Sequence, residues 1–187
     1  MSERFDQSKV VEASHETHAQ KAQRALLELL LKTPVAEGEE QEATEETREE
    51  LRKTFERFPE LIDEFISIYQ AELKQAGIEP GDIQLFMVGG RVSGKPLKAS
   101  SDIDLLWGFD KPISPYANKD SHLDISTWIA LRQKVLFEKF TKVCEKFNIP
   151  NHHRHPGRFQ FFNWGGEKSI QEMEESLKDG EKLLRIR

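Results

Sequence analysis

Val88-Gly89-Gly90-Arg91-Val92-Ser93-Gly94-Lys95-Pro96-Leu97-Lys98-Ala99-Ser100-Ser101-Asp102-Ile103-Asp104-Leu105 is the stretch that decides how this chain is read. Just before it, Ile83 to Val88 is short, apolar and bounded by turn residues, which predicts a buried strand. Asp102 to Phe109 alternates at its start and predicts a second strand. Residues two apart on a strand point the same way, so Asp102 and Asp104 share one face while Ile103 and Leu105 take the other. Two neighbouring carboxylates repel each other and invite a divalent cation, and oxygen-only ligation suits Mg2+ or Mn2+. Gly89 and Gly90, at the end of the first strand, let backbone amides approach a phosphate closely. A cation beside a phosphate cradle is apparatus for phosphoryl or nucleotidyl transfer, where positioning and charge neutralisation do most of the work.

Outward from this stretch the pattern is mostly helical. Ala22, Ala25, Leu26, Leu29 and Leu30 fall at helical spacing within an expected helix over 8–32, which Thr33-Pro34 ends. Residues 36–47 carry Glu37, Glu39, Glu40, Glu42, Glu45 and Glu46 with almost nothing apolar. They are expected to form a solvated linker that detaches the first helix and leaves its leucines needing a partner, a second copy or a domain of their own. A second helix is expected from about Glu46 to Phe58. A third, opened by Pro59, carries Leu61, Ile62, Phe65, Ile68, Tyr69 and Leu73 and stops at Gly77.

Beyond the second strand, Lys111 to Ser121 is a loop. Residues 122–147 form a long helix on Ile125, Trp128, Ile129, Leu136, Phe140, Val143 and Phe147. Arg158 to Trp164 is a third strand, Glu167 to Lys178 a helix and Lys182 to Arg187 a short last strand. No internal repeat is visible. This order predicts an α/β (α+β) fold: a small mixed sheet flanked by helices, with a helical N-terminal extension. The expected segments are a helix in 1–35, the linker in 36–47 and the main domain in 48–187.

Composition narrows the function classes. The 187 residues carry a net charge of -6, concentrated in the glutamate-rich segment. That balance argues against nonspecific coating of nucleic acid, though it leaves a nucleic-acid end open as a substrate. Cys144 is the single cysteine and reads as a buried thiol. No apolar run approaches the roughly 18 residues of a membrane span, so no membrane partner is expected. Without signal-peptide character or cysteine pairs, the chain is read as cytoplasmic.

The 88–105 stretch resembles the signature of the polymerase-beta-like nucleotidyltransferases: strand, Gly-Gly or Gly-Ser, about ten residues, then Asp-x-Asp on the next strand. Here eleven residues separate Gly90 from Asp102. It is most similar to the minimal nucleotidyltransferases, whose typical run is Gly-Ser-Arg-Ala-Arg-Gly and then Ser-Asp-Ile-Asp-Leu. Gly89, Arg91, Gly94, Ser101, Asp102, Ile103, Asp104 and Leu105 match, while Gly90 and Ser93 replace the commoner serine and arginine. The likeness covers under a tenth of the chain.

The resemblance implies the nucleotidyltransferase fold, with Asp102 and Asp104 as catalytic residues binding Mg2+ or Mn2+. Gly89 and Gly90 would hold the phosphates of an NTP, ATP first among them, with Arg91, Ser93, Lys95 and Ser101 lining the nucleotide site. Many minimal members act as antitoxins that add AMP to a helical toxin, so the N-terminal helices are a candidate surface for a protein partner or a homo-oligomer. The alternative is a degenerate module that senses nucleotides or serves as a scaffold. Active members usually carry a third carboxylate on a later strand. The corresponding segment here, Arg158 to Trp164, has no acid. Glu167, Asp120, Asp124, Gln160 and Asn163 are the candidates for that place.

Two further motifs compete. Gly89-x4-Gly94-Lys95 has P-loop spacing, but Pro96 stands where that loop needs Ser or Thr. His152, His153 and His155 cluster with Arg154 and Arg158, as a polar loop, a phosphate contact or a metal site.

Overall fold

The structure, a computed structural model, describes residues 15–36, 44–77, 79, 83–109, 125–151, 155–163, 175, 177 and 182–187. The side chains of 109, 125–131, 162 and 163 are not described. The elements are α1 (His18–Lys32), α2 (Thr44–Glu56), α3 (Phe58–Gln75), β1 (Ile83–Val88), α4 (Gly90–Ser93), β2 (Ile103–Phe109), α5 (Ile125–Lys146), β3 (Phe159–Asn163) and β4 (Leu184–Arg185). A tight turn, Pro156–Arg158, precedes β3, with Gly157 in the left-handed region. The expected helix at Glu167 to Lys178 and the loop at Lys111 to Ser121 lie outside the described residues, apart from isolated positions.

The sheet runs β3-β2-β1-β4. β1 is antiparallel to β2 and to β4, and β2 is parallel to β3. This is a mixed α+β architecture around a small four-stranded sheet. The parallel step needs a crossover, which contains α5. Ile83, Leu85 and Met87 of β1, Ile103, Leu105 and Trp107 of β2, and Phe159 of β3 all join one apolar core with the helices. Tyr69 of α3 stacks on Trp107 at 4.4 Å between centroids, and Phe65 lies 4.6 Å from Phe140 and 5.1 Å from Phe159. Buried rings of this size each contribute about 2 kcal/mol through the area they remove from water. The same core holds Cys144, whose thiol burial pushes up to about 12, as an inert structural cysteine. Glu72 of α3 is also buried and pairs with Arg132 and Lys139 of α5. Its burial raises the carboxyl, but the two cations outweigh that and hold it below the usual range.

Three expectations need correction. The first helix is not detached: Ala22, Leu26 and Leu30 lie in the same core as the strands, and α1 packs on α2 and α3. Leu31 is the only large apolar side chain left exposed among the described residues, an ordinary occurrence for a single surface leucine. α1 begins at His18 and leaves out 15–17, because Thr17 and Gln20 form a capping box, while the expected helix over 8–14 lies outside the described residues. The Gln20 amide donates to Thr17 Oγ1 at 3.2 Å, and the Thr17 amide donates to Gln20 Oε1 at 2.8 Å. The expected linker over 36–47 overlaps α2, which starts at Thr44 and buries Thr47 fully, and 37–43 lie outside the described residues.

Candidate functional site

The site forms where β1 ends. Gly89 adopts φ 80°, a backbone that L side chains rarely take, and turns the chain into the single turn of α4. Its missing side chain is required for a second reason: a Cβ there would stand 2.1 Å from Asp104 Oδ2. The carboxylate therefore rests directly against the glycine backbone. A Cβ on Gly90, by contrast, would meet Lys95 at an ordinary 3.6 Å.

α4 closes at once. The Ser93 amide donates to Gly89 O at 3.1 Å, the Lys95 amide donates to Gly90 O at 3.0 Å, and Gly94 ends the turn in the left-handed region. A P-loop would open a long helix here, whereas this turn spans Gly90–Ser93 alone. The loop then runs out to Leu97, which is buried and bridged to the tail of α1. The Ala36 amide donates to Leu97 O at 2.8 Å, and the Leu97 amide donates to Pro34 O at 2.9 Å. Arg48 of α2 holds that tail through the carbonyls of Leu30 and Thr33. So 34–36 acts as a short strap on the loop that carries the site.

Along β2 the burial alternates as the sequence predicts. Ile103, Leu105 and Trp107 face the core, while Asp102, just before the strand, and Asp104 are half-buried on the opposite side. Asp104 stands opposite Val88 on β1 and opposite Gln160 on β3. With its amide nitrogen turned to the aspartates, Gln160 donates to Asp102 Oδ2 at 2.8 Å and to Asp104 Oδ1 at 3.2 Å. With the amide turned over, Oε1 would join the two carboxylate oxygens. Their separations suit neighbouring ligands of an octahedral cation with bonds of about 2.1 Å. Burial and the Asp102 charge push the Asp104 carboxyl up to about 6, against the opposing pull of Arg91 and Lys95.

The other expected site residues divide. Arg91 is buried, and its guanidinium donates to the carbonyls of Lys95 at 3.0 Å and Pro96 at 3.4 Å, so it holds the loop from inside. Burial pulls its proton affinity down, while Asp102 and Asp104 push it back up. Ser93 Oγ is buried without a hydrogen-bond partner among the described residues. Lys95 is exposed, with its charge felt at Asp104. Ser101 is buried in a turn, where its Oγ accepts from the Lys98 amide at 2.9 Å, so its hydroxyl is already engaged.

Of the candidates for the third carboxylate, Glu167, Asp120 and Asp124 lie outside the described residues. Asn163 pairs with Trp107, away from Asp104 in the register. Gln160 takes the place beside the pair. Among the described residues no group of three or more His, Cys, Asp or Glu side chains gathers to hold a metal. The described residues offer a cation here two carboxylates and an amide oxygen, donors that fit a hard ion. His152, His153 and Arg154 also lie outside the described residues. Arg158, placed with them as a candidate phosphate contact, instead turns inward to Glu50.

No family model matches the chain, and neither a curated protein nor a solved structure does. No described helix is long and apolar enough to cross a membrane.

Proposed function

We propose that this chain is a nucleotidyltransferase-fold domain whose main property is binding an NTP, ATP first among the candidates, together with Mg2+ or Mn2+. The observation that carries the reading is the contact of Asp104 with the Gly89 backbone on one side and Gln160 on the other, with Asp102 sharing the same amide. The antiparallel β1–β2 pair, the parallel β3 and the crossover through α5 support the same fold.

Asp102 and Asp104 would hold the cation, with Gln160 Oε1 beside them. The cation, when bound, supplies charge neutralisation for the phosphates. Gly89 keeps the backbone open for their approach, Lys95 adds an exposed positive charge at the rim, and Arg91 keeps the loop in shape. An amide in the third position cannot take a proton from an attacking hydroxyl as a carboxylate can. Among the described residues the site then carries two carboxylates rather than three. Both effects favour binding over fast transfer, as in a nucleotide sensor or scaffold.

The intact aspartate pair and glycine turn favour a second reading. In it the domain moves an NMP from the NTP to an acceptor hydroxyl, a protein side chain included, and releases pyrophosphate. The test uses four radiolabelled NTPs with Mg2+ or Mn2+ in lysate, comparing wild type with Asp102→Asn/Asp104→Asn. NTP binding without label transfer, lost in the double variant, is the expected result. Label transfer by wild type alone would move the assignment to the enzyme. Neither binding nor transfer would defeat both.

A further inference from the structure

Gly157 and Arg158 are consecutive residues in the left-handed region, at φ 57° and φ 62°. For arginine that backbone is costly, by roughly 1 kcal/mol or more, and it persists only where surrounding contacts demand it. The contacts are present. A Cβ on Gly157 would stand 3.1 Å from both Cys144 Sγ and Ile149 Cγ2, so the turn is wedged against α5 and the segment after it. On the α2 side, Thr54 Oγ1 donates to Gly157 O at 3.4 Å. The Arg158 side chain is buried and ion-paired to Glu50 of α2. Its Nη1 donates to Ala99 O at 3.0 Å and to Ser101 O at 3.1 Å.

These two carbonyls belong to the turn that delivers Asp102, and Gln160 follows Arg158 by two residues. One guanidinium therefore ties together the aspartate turn, the strand carrying the amide and a helix of the N-terminal half. We infer that Arg158, backed by Glu50, is a positioning residue that sets Asp102 against Gln160. This rests on the proposed cation-binding role of Asp102 and Asp104. A planar fork with several fixed donors can serve a carboxylate and two carbonyls at once. The lysine ammonium is a single point on a flexible stem and cannot hold the same arrangement. The contacts to Glu50, Ala99 and Ser101 give a reason for arginine rather than glycine to stand in this backbone conformation.

Arg158→Gly separates the two contributions, because glycine accepts the backbone freely while the clamp is removed. Arg158→Lys keeps the charge and is the second variant. The full chain is titrated with Mn2+ alone, followed by electron paramagnetic resonance, with thermal unfolding measured in parallel and Asp104→Asn as the binding-deficient control.

Both Arg158 variants are expected to stay folded and to bind Mn2+ about tenfold or more weakly, the usual cost of losing a residue that orients a ligand. Guanidinium ion at low millimolar concentration is expected to restore part of the affinity of Arg158→Gly and none of that of Asp104→Asn. Folded variants that bind Mn2+ like wild type would overturn the inference and leave the cation reading standing. Unfolding of both variants would overturn it by marking Arg158 as a requirement of the fold alone. Wild type that fails to bind Mn2+ would overturn both.

Discussion

The two faces of β2 are built from alternate residues of one short strand, yet they follow opposite rules. On the helix side, Ile103, Leu105 and Trp107 are almost fully buried and packed against Tyr69, Phe159 and their neighbours. On the other side, Asp104 is half-buried against Gly89 and Gln160, with its carboxyl held at an unusually high proton affinity. One face is stabilised by burial and tolerates little change in volume. The other places like charges together, an arrangement that costs stability unless a ligand offsets it. Stability and binding should therefore be separable along a single strand.

The largest effect expected tests the packed face. Phe65→Ala, at the centre of the aromatic cluster, should lower unfolding free energy by about 3–5 kcal/mol in urea titration. A loss under about 1 kcal/mol would mean that the core is centred elsewhere. The next tests the contact between the glycine turn and the aspartate. Gly89→Ala must strain φ 80° and push Asp104 aside, so it should cost about 1–3 kcal/mol and abolish Mn2+ binding. Retained binding would show that the turn is looser than its geometry.

A smaller effect concerns pH. The Asp104 carboxyl is raised in the folded state from its ordinary 3.8 to about 6, so the folded protein holds more protons than the unfolded chain between those values. Its stabilising contribution is complete at low pH and is lost as pH rises through this window. In metal-free buffer, the urea midpoint of wild type should fall relative to that of Asp104→Asn between about pH 4 and pH 6. Parallel pH curves would mean an ordinary Asp104. The smallest effect sharpens the contrast between adjacent glycines. Gly90→Ala meets only Lys95 at 3.6 Å and should stay within about 0.5 kcal/mol of wild type by thermal unfolding.

Much of the architecture was legible in local pattern. Strands β1 and β2, helices α3 and α5, and the placing of Asp102 and Asp104 on one face all follow from periods of two and 3.6 residues. The strap at 34–36, the packing of α1 and the Arg158–Glu50 pair were not legible. An acidic run that reads as a separator says nothing about where the helix before it returns. Glu50 and Arg158 are 108 positions apart, and no local rule joins them. The Thr17–Gln20 capping box that opens α1 is a side-chain to backbone pairing, which apolar spacing alone does not register.

By itself, the sequence determined that two carboxylates follow a glycine turn on adjoining strands, because strand alternation and glycine backbone freedom are properties of a few consecutive residues. Only the tertiary structure decided that Gln160 stands beside them. That neighbour depends on the register of β3 on β2, which the intervening helix and the burial of Phe159 set together. An amide or a carboxylate in that strand would satisfy the same local pattern. The choice acquires chemical meaning only when the parallel pairing brings it against Asp102 and Asp104.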